Sequence, residues 1–175
     1  MSSGMLDRVI WARLEQAGIP VEWAPSPNFG ERLGVSKPGL VVMHYTALEL
    51  DATLARLCDP GIEASTHFVI DRSGAVYALV SVEKRAWHAG RSDFRGITDV
   101  NSHSVGIDLV FVPDTDIKYS EEQYKTLKLL LAALRKQFRF KAQDVVGHEE
   151  VATPAGRKQD PGPAFDWEMV RGWIR

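Results

Sequence analysis

Two apolar runs, each carrying one ionisable side chain, restrict the folds open to this 175-residue chain. Leu40-Val41-Val42-Met43 ends in His44, and Ser104-Val105-Gly106-Ile107-Asp108-Leu109-Val110 has a carboxylate in its middle. A short apolar run of this kind reads as a buried strand. Burying a carboxylate in one is costly unless a cation or hydrogen-bond donors receive it. Both strands therefore need covering elements, and Asp108 needs a partner.

The rest of the chain supplies the cover. Leu6, Val9, Ile10 and Leu14 recur at helical spacing until Gly18-Ile19-Pro20, and segment 21–38 reads as a connector. Asp51–Leu57 reads as a helix with Leu54 and Leu57 on one face. Thr66–Ile70 and Ala75–Val80 flank Asp71-Arg72-Ser73-Gly74 and read as a hairpin. Residues 87–103 show no periodicity, as in a long functional loop. Ser120-Glu121-Glu122-Gln123 has the capping-box pattern, followed by Tyr124, Leu127, Leu131, Leu134 and Phe138 at helical steps. Val145–Gly147 reads as a short strand, and Asp166 can cap a last helix carrying Met169, Val170 and Trp173. This pattern predicts an α/β or α+β fold, a central sheet flanked by helices, with ligands gathering at strand ends.

At 175 residues and 45% hydrophobic, the chain suits a single domain over 1–175, with a helix and connector in 1–38 ahead of the motif-bearing core 40–170. The net charge of -2, from 21 basic and 23 acidic residues without a basic tract, disfavours nucleic acid as a partner. Cys58 is the one cysteine, which excludes an intrachain disulfide and a thiolate cluster and leaves imidazole and carboxylate as metal ligands. No segment reaches membrane-spanning length. The N-terminus lacks a signal-peptide apolar region, so a cytoplasmic protein is expected, and a monomer is expected as well. Ser2-Ser3-Gly4 also reads as an appended segment before Met5, and loss of a leader there would make the protein exported or phage-delivered.

The chemistry-bearing residues collect in few places. Gly147-His148 is followed, after one loop, by Arg157-Lys158-Gln159-Asp160-Pro161-Gly162-Pro163. A catalytic zinc site needs three protein ligands and an open position, and His44, His148 and Asp160 supply that set. Each histidine alone also reads as a strand-end imidazole bonded to backbone, and Lys158 with Asp160 as a surface ion pair. Asp108 is the candidate general base if its side of the strand faces the metal; otherwise it lies on a wet sheet face while Val105, Ile107 and Leu109 point away. His67 is a candidate substrate contact or a structural imidazole. Trp87-His88-Ala89-Gly90 offers a flat apolar face, a donor and a close-approach glycine, suited to lining a sugar or peptide groove. His103 has no evident partner.

With these residues in view, the chain resembles the type 2 N-acetylmuramoyl-L-alanine amidases, whose fold is shared with phage amidase-lysozymes and peptidoglycan recognition proteins. The resemblance rests on Val41-Val42-Met43-His44-Tyr45-Thr46-Ala47, Ser65-Thr66-His67-Phe68-Val69-Ile70, Arg85-Ala86-Trp87-His88-Ala89-Gly90, Asn101-Ser102-His103-Ser104-Val105-Gly106-Ile107-Asp108, and Gly147-His148 through Pro163. It implies a mixed sheet, zinc held by His44, His148 and Asp160, and Lys158 stabilising a tetrahedral intermediate. It also implies cleavage of the lactyl amide between muramic acid and L-alanine in peptidoglycan or muropeptides. Arg157, Trp87 and His88 are then candidates for holding the muropeptide.

Two departures accompany the resemblance. Asp108 stands where relatives usually place a glutamate base, and one missing methylene shortens the reach by about 1.5 Å. The loop Glu149–Gly156 is about two residues longer than in the recycling enzymes, which reshapes the groove rim. A non-catalytic peptidoglycan-binding module is the main rival reading, favoured by Asp108 and opposed by the intact ligand set. A histidine-metal nuclease is the second, disfavoured by the missing basic surface.

Overall fold

The computed structural model describes residues 3–175, so Ser2 of the N-terminal segment lies outside the described residues. In chain order the elements are α1 (Met5–Gln16), β1 (Val21–Trp23), β2 (Phe29–Gly30), β3 (Leu40–Tyr45), α2 (Leu50–Leu57), β4 (Phe68–Ile70), β5 (Val76–Ala78), β6 (Arg85–Ala86), α3 (Val100–His103), β7 (Ser104–Leu109), α4 (Glu121–Gln137), β8 (Val145–Gly147), α5 (His148–Val151) and α6 (Trp167–Gly172). Six strands form one sheet in the order β1-β5-β4-β7-β3-β8, and β2 pairs antiparallel with β6. Neighbours in the large sheet run parallel except β4 and β5. The sheet is mixed and flanked by helices, as expected.

The two-residue period of the strands decides what each face carries. Val41 and Met43 of β3, Val105, Ile107 and Leu109 of β7, and Phe68 and Ile70 of β4 pack in one core with Ile10 and Leu14 of α1 and Leu127, Leu130 and Leu134 of α4. Burying a side chain of this size stabilises the fold by about 1.5–3 kcal/mol. The other parity is mixed. Leu40 and Val42 pack with Ala89, Val100, Val146 and Val151, while Val69 packs near Leu50, Leu54 and Leu57 of α2. Between these two small clusters the strands present His44, Ser104, Gly106 and Asp108.

Local signals set the helix ends. The Ser120 Oγ accepts from the Gln123 N–H at 3.0 Å, and the Gln123 Oε1 accepts from the Ser120 N–H at 3.0 Å, completing the capping box. The Gln123 Nε2 also donates to the carbonyls of Ile70 and Val110, tying α4 to the sheet. Asp166 caps α6 by accepting from the Met169 N–H at 2.8 Å.

Three expectations change. Segment 21–38 contains β1, which extends the sheet by pairing with β5, and β2. In α1, Val9 is 39% exposed, while Asp7 is buried and accepts from the Val82 N–H at 2.9 Å. The aperiodic stretch 87–103 holds α3 and is pinned to Ala152 through a bridge at Ser92. No described helix is long and apolar enough to cross a membrane.

Candidate metal centre and active site

The sheet order brings the chemistry to the C-terminal ends of parallel strands, where open α/β sheets gather ligands. β3 lies between β7 and β8. His44 sits beside Asp108 of β7 in the strand register, and Met43 sits beside Gly147, which hands the chain to His148 at the start of α5. The loop that follows folds back and places Asp160 under both imidazoles.

His44 Nδ1, His148 Nδ1 and Asp160 Oδ2 form a small triangle, with edges of 3.1 Å between the imidazoles and 2.8 and 3.1 Å to the carboxylate oxygen. All three residues are buried. Three donor atoms converging so closely on one point are what a small cation requires, and two histidines with one carboxylate and an open side toward the groove are a donor set that suits a catalytic divalent metal. The far nitrogen of each ring is also engaged. His148 Nε2 donates to the Ala89 carbonyl at 3.0 Å, which leaves its Nδ1 with a free lone pair, and His44 Nε2 meets His88 Nδ1 at 3.0 Å.

The electrostatics follow from burial and crowding. Burial would raise the Asp160 carboxyl, but the His148 and His44 imidazoles that face it hold it well below the carboxylate range. Burial alone would lower His44, yet Asp108 and Asp160 together keep it above its ordinary value. His148 is lowered, first by burial and then by His44. Asp108 is pushed up to about 6, chiefly by burial, with Asp160 adding to it and His44 opposing. Its Oδ1 is buried without a hydrogen-bond partner, as is the Thr66 hydroxyl. A carboxyl that lines a groove with its pKa raised toward neutrality is a candidate to take and return a proton.

Asp108, Lys158 and the three metal-ligand candidates line one groove of about 420 Å³, together with Trp87, Tyr45 and Arg56. Lys158 is exposed at its mouth and forms no ion pair with a described carboxylate. The ion-pair reading for Lys158 and Asp160 therefore gives way to a free ammonium facing the groove.

Other candidates land elsewhere. His67 is 0% exposed and does not line the groove; its Nδ1 accepts from the Gly106 N–H and its Nε2 donates to the Lys84 carbonyl, each at 3.0 Å. With the ring covered and both nitrogens engaged, the structural-imidazole reading is the one this geometry favours. Arg157 donates to the carbonyls of Thr153, Ala89 and Arg91, so its guanidinium clasps two loops instead of facing a ligand. Trp87 lies where expected. His88 reaches the groove but spends both ring nitrogens on His44 and Ser104. The His103 Nδ1 donates to the Asp99 carbonyl at 2.9 Å. Asn101 carries no role from sequence beyond its place in the stretch Asn101–Asp108, yet its Oδ1 accepts from the N–H groups of His88 and Ala89. A lone Asn in a stretch without periodicity carries no signal of that role.

Comparison with known proteins agrees with this geometry. The N-acetylmuramoyl-L-alanine amidase family model matches residues 34–163. The 1,6-anhydro-N-acetylmuramyl-L-alanine amidase AmpD of Salmonella typhimurium (strain SL1344) is 33% identical over 169 residues, covering 86% of this chain and 88% of that protein. A crystal structure of a selenomethionine AmpD derivative superposes with a TM-score of 0.72 at 30% identity, over 89% of this chain and 94% of that one. The amidase AmiD from E. coli, solved with anhydro-N-acetylmuramic acid-L-Ala-D-γ-Glu-L-Lys, superposes with a TM-score of 0.71 at 27% identity, over 83% of this chain and 65% of that one. A family match over most of the chain, on a fold that assembles two histidines and an aspartate beneath an open groove, places it: the chain belongs to the N-acetylmuramoyl-L-alanine amidase family.

Proposed function

We propose that this protein hydrolyses the amide joining N-acetylmuramic acid to L-alanine in muropeptides, with a zinc ion held by His44, His148 and Asp160. The observation that carries this reading is the buried triangle of two imidazole nitrogens and one carboxylate oxygen at the floor of the groove. A zinc ion bound there supplies Lewis acidity to the scissile carbonyl and lowers the pKa of an attacking water. AmpD's name and the ligand in the AmiD complex point to anhydromuropeptides as the substrates to try first.

The chain's own groups do the rest. The Asp108 carboxylate accepts the proton of the attacking water, and burial, which pushes its pKa up to about 6, leaves it ionised at neutral pH yet basic enough to act. The Lys158 ammonium, free at the groove mouth, faces the oxygen that gains negative charge. Protonated Asp108 then returns its proton to the departing alanine nitrogen. Trp87 offers a flat face to sugar or peptide, and Arg56 a cation for a stem-peptide carboxylate.

Incubating the zinc-loaded protein with anhydromuropeptides and separating the products by mass spectrometry tests the reading. Free anhydromuramic acid and free stem peptide are expected. Tight binding without cleavage would instead make the protein a binding module in which Asp108 has replaced a working base.

A further inference from the structure

We infer that His88, seated in the notch left by Gly106 and oriented by Ser104, is a positioning residue that holds His44 in the tautomer a metal needs. The inference rests on the reading of His44 as a metal ligand.

The direction of each hydrogen bond follows from counting protons. The Ser104 Oγ lies 2.6 Å from the Val100 carbonyl, which can only accept, so the one hydroxyl proton points there. Toward His88 Nε2, 3.0 Å away, Ser104 can then only accept, and Nε2 must carry the ring proton. A neutral imidazole has a single N–H, so His88 Nδ1 is an acceptor. It faces His44 Nε2 at 3.0 Å, which places the His44 proton on Nε2. His44 Nδ1 is left with its lone pair aimed at the point shared with His148 and Asp160. Reversing the chain would set two lone pairs against each other at Ser104, or strip the Val100 carbonyl of its donor, and would move the His44 proton onto the ligating nitrogen.

Packing and backbone fix the ring in this place. A Cβ on Gly106 would lie 2.6 Å from His88 Cγ and 2.9 Å from its Nδ1, so the ring occupies the space that a side chain on β7 would fill. Ser104, Gly106 and Asp108 share one face of β7 by the strand period, which is why hydroxyl, notch and carboxylate align beside His44. Asn101, buried, accepts from the N–H groups of both His88 and Ala89, and the Ala89 carbonyl receives the Nε2 proton of His148. One dipeptide thus orients both imidazoles, the first through a side chain and the second through a carbonyl.

The experiment measures the zinc affinity of the full-length protein by chelator competition, alongside the thermal midpoint of each metal-free protein. His88→Phe keeps the ring but loses both nitrogens; it should weaken zinc binding by about 10- to 100-fold, the range seen when such supporting partners are removed. His88→Gln can accept through Oε1 and donate through Nε2 over the same span, so it should recover most of that loss. Ser104→Ala, which frees the His88 tautomer without touching His44, should weaken binding by less than His88→Phe. If His88→Phe folds poorly, the Gln and Ser104→Ala variants still decide the matter. Wild-type affinity in His88→Phe, or in Ser104→Ala together with no recovery in His88→Gln, would overturn the inference. His44→Ala separates the two claims: loss of zinc there with His88→Phe unaffected defeats only the role of His88, whereas unchanged zinc in His44→Ala defeats the ligand assignment and this inference with it.

Discussion

Asp108 and His44 are register partners on the adjacent parallel strands β7 and β3, and both side chains stand on the face opposite the main core. The two strands place their apolar residues at the same parity, so the remaining parity collects an imidazole, a carboxylate, a hydroxyl and a glycine side by side. The arrangement puts Asp108 among the residues that line the groove with His44, His148 and Asp160.

Replacing Asp108 with asparagine should therefore keep fold and zinc and abolish cleavage, since an amide of nearly the same shape accepts no proton at neutral pH. Asp108→Glu should stay active if the groove admits one more methylene, and otherwise lose about 1–3 kcal/mol of stability to overpacking. The base must be ionised to work. With its pKa raised to about 6, turnover should rise as pH increases through that region and fall away below it. A pH profile flat from 5 to 8, or an asparagine variant as fast as the wild type, would remove Asp108 from the reaction.

The metal should be stoichiometric and should hold parts of the chain that are distant in sequence. Zinc at a thousand times its dissociation constant should stabilise the fold by about 4 kcal/mol, by mass action alone. His148→Ala should lose the metal and with it this stabilisation, since Asp160 and His44 remain as an incomplete pair. Elemental analysis and thermal melts with and without a chelator measure both effects. Full zinc content in His148→Ala would show that another residue binds it.

Lys158 separates binding from chemistry. It touches neither imidazole nor Asp160 at bonding distance among the described residues, so Lys158→Ala should keep zinc content. Loss of one donor to a developing oxyanion typically lowers kcat by about 100-fold or more. Parallel titrations of zinc and activity check this. Equal losses of both would assign Lys158 to the architecture of the metal loop.

What the sequence displays and what it hides differ by physical kind. His44, His148 and Asp160 stand out because each ends a strand or sits in a Pro-Gly loop, where a polar side chain lacks a local reason to be. The capping residues Ser120 and Asp166 are equally legible, because their partners lie three residues away. β1 is not, since Val21-Glu22-Trp23 is too short to show a period and exists by pairing with β5, far along the chain. The same distance hides the employment of Arg157 and His67. A guanidinium that ends on the carbonyls of Ala89 and Arg91 looks identical, in sequence, to one that awaits an anionic ligand. Only the facing elements decide which of the two it is.

His67 provides a test of that distinction through stability. Burial, reinforced by the Arg32 guanidinium, lowers its pKa to about 3, so the ring stays neutral in the folded protein across the working pH range. In the unfolded chain it titrates near 6.5. A group whose folded pKa is depressed contributes stability that is present above the unfolded value and is lost as pH falls toward the folded one. The wild type should thus lose up to about 1.4 kcal/mol per pH unit from this residue between pH 6 and 4. His67→Gln should be less stable than the wild type at pH 7, because the Gly106 N–H and the Lys84 carbonyl are buried and demand the ring's geometry. Its stability should decline less steeply with acid, since glutamine binds no proton. Urea denaturation at pH 7, 6 and 5 measures both slopes. A variant with the wild-type slope and a raised KM for muropeptide would return His67 to the substrate site.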